Sequence, residues 1–148
     1  MSHPILLYDG VCALCNRIVR VILSRDTNGI FQFASLQSPL ATRVLARHGA
    51  SPSELDTFYV VLNCDPVNLN EREEKLADEL LSRSDAVSFV LIELGGIRRL
   101  MGRTLRRIPR PIRDWAYRLV ARHRYRIFGR YETCPMPTEA TRDRFLDL

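Results

Sequence analysis

Two cysteines three residues apart, Cys12 and Cys15, stand in the stretch Tyr-Asp-Gly-Val-Cys-Ala-Leu-Cys, where an apolar run ends and a helical pattern begins. A pair at this spacing could exchange a dithiol for a disulfide, ligate a metal, or serve as two small hydrophobes. At the first turn of a helix, unpaired backbone N–H groups and the helix dipole, equivalent to about half a positive charge, favour an anion. Cys12 lies nearest those donors and, by its position, nearest solvent. Its pKa is expected below the ~8.5 of a free thiol, which makes it the attacking sulfur. Cys15, one turn further in and on the same side, is then the resolving sulfur, able to attack a mixed disulfide on Cys12 without refolding. Asp9 has two readings: it caps the first N–H groups of the helix, or it takes the proton of Cys15 during resolution.

Competing chemistries fit less well. Haloacid-dehalogenase-like phosphatases also place Asp-Gly after an apolar run, but they need a second acid two positions after the first, where this chain has Val11. A tyrosine-phosphatase loop needs Cys, five residues and Arg; Arg17 follows Cys12 after four, and Cys15 meets Val21 at the required place. A zinc site draws on four ligands, and beside the pair there are only the isolated Cys64 and Cys134 and the scattered His3, His48 and His123. A metal or iron–sulfur site would have to recruit Cys134 to Cys12 and Cys15. That arrangement is one alternative to redox exchange; the other is a non-catalytic interaction module that docks an acidic partner through Arg-rich helices late in the chain.

The elements that must position the pair follow from periodicity. Ile5 to Tyr8 reads as a strand buried on both faces, and from Cys12 the positions Ile18, Val19, Ile22 and Leu23 give an amphipathic helix ending near Asp26 to Gly29. Ile30 to Ala34 reads as a strand with Phe31 and Phe33 on one face. Ser38-Pro39 starts a second helix that Gly49 stops. Phe58 to Leu62 is the strongest strand pattern and Glu79 to Arg83 a weaker, edge-like one. Ser84 or Asp85 caps a helix from Ala86 to Leu94, ended by Gly95-Gly96. Helices follow over about 97–107 and 112–128, separated by Pro109-Arg110-Pro111. Trp115, Tyr117, Tyr125 and Phe128 are expected to pack these last helices over the sheet.

The resulting order, βαβαββα with a C-terminal helical extension, is that of an α/β thioredoxin-like fold, with both strand-helix-strand crossovers expected to be parallel and the last two strands antiparallel. At 148 residues, 46% hydrophobic and 26% charged, the chain has the size and balance of one globular domain with a core of its own. Residues 1–96 would form the core unit and 97–148 an Arg-rich extension packed on it. A basic, apolar leader is not evident at the N-terminus and no run approaches the ~20 apolar residues that span a bilayer. A soluble, cytoplasmic protein with reduced cysteines is the expectation.

The stretch YDGVCALC, followed by FQFASLQS, SRSDAV and IPRPIRDWAYRLVARHRYRIFGRYETCPMP, resembles the DCC family of thiol-disulfide oxidoreductases, thioredoxin-like proteins named for Asp-x-x-Cys-x-x-Cys. Asp9, Cys12 and Cys15 match that motif without a gap, and Tyr125-Arg126-x-Phe128-Gly129 followed by Cys134-Pro135 matches the family pattern late in the chain. The resemblance implies disulfide exchange through Cys12 and Cys15; the expected cytoplasmic setting makes reduction the default direction. No resident cofactor is expected, with glutathione or a disulfide-containing protein as co-substrate. Thioredoxins place a cis-proline opposite the cysteines, just before the third strand; this chain has Thr57 there, whose backbone would meet substrate. Ser84 and Asp85 occupy the place where glutathione-binding relatives hold polar groups, and as plain caps they need no such role. Cys134 is either a third thiol returning to the site or a buried residue beside two prolines.

The net charge of +5 is concentrated. Residues 98–131 hold twelve arginines against the single acid Asp114. Such a block could face an acidic partner or a membrane surface, or be a solvated helix face; arginines spread around a helix lack a groove-reading module, so nucleic acid is not expected.

Overall fold

A computed structural model describes residues 3–50, 58–62, 79–130 and 138–146. Strands β1 (Ile5–Tyr8), β2 (Gln32–Ser35), β3 (Tyr59–Leu62) and β4 (Glu79–Ser82) form one sheet in the order β2-β1-β3-β4. Helices α1 (Ala13–Arg25), α2 (Pro39–Arg47) and α3 (Arg83–Glu93) alternate with them, and α4 (Gly96–Arg107) and α5 (Arg110–Phe128) follow. This mixed sheet with its helices has the thioredoxin-like arrangement.

The period-two pattern of a strand explains the layering. Ile5 and Leu7 of β1 point to one face, where they pack with Leu40, Val44 and Leu45 of α2. Leu6 and Tyr8 point to the other, against Val19 and Ile22 of α1, Phe31, Phe33 and Val90 of α3. Because β1 is covered on both faces, all four of its residues are buried.

One topological expectation is corrected. β1 and β2 pair in parallel, but β3 runs antiparallel to β1 and lies on its far edge, so only the first crossover is parallel. β3 and β4 are antiparallel, as expected. β3 fills β1's open edge, where Leu6 stands opposite Val60 in antiparallel register. Local patterns do not encode that choice.

Besides the α5 contacts at the site, α4 and the C-terminal turn hold the extension against α3 and the sheet. α4 packs closely on α3 through Gly102, where an added Cβ would stand 2.8 Å from Ile92 and 2.9 Å from the Ser88 carbonyl oxygen. A 3₁₀ turn at Glu139–Arg144 delivers Phe145, whose ring stacks on Phe33 at 5.3 Å. Arg144 there pairs with buried Asp26 and donates to the Phe31 carbonyl oxygen.

Candidate active site

Cys12 is the N-cap of α1, with extended backbone angles, and its sulfur accepts the Cys15 N–H at 3.3 Å. The cap that the sequence reading gave to Asp9 therefore belongs to the first cysteine itself. Asp9 instead braces the loop before it: Oδ1 accepts from the Val11 N–H at 3.1 Å and from the Gln37 amide at 2.8 Å. Gln37 in turn accepts the Gly10 N–H, and Asn16 donates to the carbonyl oxygens of Gly10 and Cys12 at 2.8 and 2.9 Å. The loop is thus fixed from both β2's end and α1's inner face.

The second Asp9 oxygen meets α5. Arg124 Nη2 lies 3.2 Å from Oδ2, and the Tyr125 hydroxyl donates to the same oxygen. Arg124 Nη1 reaches the Cys15 sulfur at 3.7 Å. Both members of the pair are sealed from solvent, with side chains 5% and 0% exposed, so this is a buried charge pair that needs its extra hydrogen bonds.

These contacts separate the two thiols. Cys12 is lowered to about 6, because Cys15 hydrogen-bonds its sulfur, N–H groups of Cys15 and Leu14 point at it, and Arg124 adds positive charge, all against burial. Cys15 is pushed far above the usual thiol range by its hydrogen bond to Cys12, by burial and by the facing Cys12 charge. Burial works against the Arg124 charge, but Cys15, Tyr125, Cys12 and Asp9 outweigh it and hold the guanidinium protonated. Burial also lifts Tyr117 and Tyr125 to about 12, so both remain neutral phenols, Tyr125 helped by its bond to Asp9. The resting pair is one thiolate and one thiol.

The expected exposure is reversed. Cys12 is fully buried and Cys15 only partly so. The end of α5 covers the first cysteine: the Gly129 carbonyl oxygen accepts from the Ala13 N–H at 3.3 Å and Arg130 forms a β-bridge with Cys12. Cys15 borders a groove of about 680 Å³ between α1, α3, α4 and α5, its wall mostly apolar from Ile18, Leu91, Met101 and Val120, with Arg17, Arg98, Arg113 and Arg124 also bordering it.

Other candidate residues are placed as follows. α3 begins at Arg83, three residues before the expected start, with Ser82 as its N-cap, so neither Ser84 nor Asp85 caps it. Ser84 borders the groove with its hydroxyl donated to Asp114, and Asp85 pairs with Arg110 and Arg113 at 3.0 and 3.2 Å. Thr57, Cys64 and Cys134 lie outside the described residues. Among the described residues, no group of three His, Cys, Asp or Glu side chains could hold a metal ion. Of the aromatics, Tyr117 does anchor α5, its hydroxyl accepting the Phe58 N–H at 2.7 Å, but Trp115 is 63% exposed and packs nothing over the sheet.

Sequence reasoning missed Arg124, Tyr125, Gln37 and Asn16 as parts of this site. The signal for Arg124 was its place on the stripe Tyr117, Ala121, Arg124, where a charge interrupts the inward face; eleven other arginines in the same stretch obscured it.

The profile of the family described as DCC1-like thiol-disulfide oxidoreductase matches residues 6–130. The chain is 32% identical over 146 residues to the YuxK protein of Bacillus subtilis, covering 99% of this chain and 96% of that one. It is 30% identical over 135 residues to a chloroplastic DCC family protein of Arabidopsis thaliana, covering 91% of this chain and 70% of the relative. No solved structure matches it significantly. The chain belongs to the DCC1-like thiol-disulfide oxidoreductase family.

Proposed function

We propose that this DCC1-like family member reduces disulfides through Cys12 and Cys15, acting on a disulfide-containing protein or on glutathione disulfide. The observation that carries the reading is the Cys12 sulfur held by the Cys15 N–H at 3.3 Å at the start of α1, with the Arg124 cation behind the pair.

The Cys12 thiolate attacks one sulfur of the substrate disulfide, forms a mixed disulfide and expels the other sulfur as a thiolate. Cys15 then gives up its proton and attacks the Cys12 sulfur. That step closes the 12–15 disulfide, releases the second substrate thiol and transfers two electrons. Asp9, joined to Arg124 and close enough for its charge to hold the proton on Cys15, is the proposed acceptor of that proton, and Arg124 supports the sulfur that carries negative charge. Because residues 129–130 lie over Cys12, this reading requires them to move off before a substrate sulfur can reach it.

A thiolate pKa of about 6 supports reduction as the direction. It is nearer the value of about 7 of reducing thioredoxins than the value of about 3.5 of strongly oxidising relatives of the fold. The proposed setting is a reducing one such as the cytoplasm; among the described residues no helix is long and apolar enough to cross a membrane.

An insulin-reduction or glutathione-disulfide assay on wild type, Cys12→Ser and Cys15→Ser tests the reading. Cys12→Ser should be inactive, while Cys15→Ser should trap mixed disulfides or keep only glutathione-dependent turnover. Equal activity in all three would remove it.

A further inference from the structure

The groove beside Cys15 is one part of a larger apolar surface that disulfide exchange does not require. Among the described residues, ten of the twelve exposed large apolar side chains fall between positions 97 and 128, and the other two, Ile18 and Val21, line the groove. On α4 they form one stripe: Ile97, Leu100 and Met101, 72%, 64% and 55% exposed, continuing to Ile108. At 3.6 residues per turn this stripe lies more than a quarter turn from Gly102, which faces α3. On α5 Ile112, Trp115, Leu119 and Ile127 recur at three and four, opposite the buried Ala121. Met101 of the α4 stripe and Val120, exposed beside Leu119 on α5, both border the groove, which lies between the apolar surfaces of the two helices.

We propose that the paired stripes of α4 and α5 dock this protein on an anionic lipid bilayer, with Trp115, Leu100 and Leu119 entering the headgroup region and the flanking arginines meeting lipid phosphates. Charge complementarity selects the partner. Twelve arginines stand against one acid in residues 98–131, and each apolar stripe is flanked by them: Arg98, Arg103 and Arg107 on α4, Arg118, Arg122 and Arg126 on α5. An anionic bilayer offers an apolar interior beneath a negative surface, which matches both features at once. A second copy of the chain would bring two strongly positive faces together, and nucleic acid would leave the apolar stripes wet. The inference does not depend on the redox reading; it would place Cys15 and its groove at the lipid surface.

Trp115 is the only tryptophan in the chain, so its fluorescence reports the docking directly. Titration with phosphatidylcholine vesicles carrying phosphatidylglycerol should shift Trp115 emission to the blue and make it quenchable by brominated lipid. Vesicles of phosphatidylcholine alone should not, and salt should weaken the effect. The variant Leu100→Ser/Leu119→Ser, altered at exposed positions away from the cysteines, should keep its fold by circular dichroism and its thermal midpoint while losing about tenfold or more in partitioning. An unshifted Trp115 with anionic vesicles would overturn the proposal. So would vesicle binding that the double substitution leaves unchanged. Binding to polyglutamate without any binding to vesicles would assign the surface to an acidic protein and equally overturn it.

Discussion

Arg124 carries more of the site than any residue but the cysteines. It touches Cys15 and Asp9 and stacks its guanidinium at 4.7 Å over Tyr125. Replacing it with Gln removes a positive charge from a buried carboxylate and from both sulfurs. The Cys12 thiolate should become harder to form, by about one pKa unit, since a nearby charge is worth ~1–3 units and here acts beside several hydrogen bonds. Stability should fall by ~3–5 kcal/mol, the usual consequence of leaving one member of a buried ion pair alone. Arg124→Lys should keep the thiolate but lose the fork that sets Nη2 on Asp9 and Nη1 on Cys15, recovering part of the stability. Thermal unfolding together with the pH dependence of alkylation checks both; an Arg124→Gln protein with unchanged thiol reactivity would confine the residue to packing.

Among the elements, α4 depends on the smallest residue in its contact with α3. A side chain at position 102 would press on Ile92, Leu91 and the Ser88 carbonyl oxygen, and the backbone atom cannot yield as a side chain can. Gly102→Val should cost ~1–3 kcal/mol as overpacking and lift α4 from α3, seen as a lower Tm with the cysteine chemistry intact. The boundaries of most elements could be read from the chain because each has a local cause. Ser38 accepts the Ala41 N–H before Pro39, as its position in the sequence implies, and α1 runs from its cysteine cap to Arg25 as its apolar spacing requires. The direction of β3 could not, since Tyr59 to Leu62 has the same composition whether it runs with β1 or against it. Neither could the 3₁₀ turn that places Phe145 on Phe33, a contact between positions 112 residues apart in sequence with no periodic signal. Cys12 and Cys15 were legible because helix geometry alone relates them. Their relative exposure was not, because the cover over Cys12 comes from Gly129 and Arg130, at the far end of the chain.

For the whole molecule, the sheet and α1 set the two sulfurs and the hydrogen bonds that divide their charge, and α5 adds the Arg124 cation beside them. A buried aspartate on the first loop and a buried arginine on the last helix meet beside the cysteines, so the site is complete only when both ends of the chain are folded together. The account requires Cys12 to be an anion near neutral pH while Cys15 remains protonated. Its most direct test is the ultraviolet thiolate absorbance of the reduced protein followed across pH. As pH rises through the Cys12 pKa the proton leaves and absorbance grows, so wild type should show one thiolate with a midpoint near pH 6 that is missing from Cys12→Ser. A first ionisation only above the ~8.5 of a free thiol, or an unchanged curve in Cys12→Ser, would contradict it.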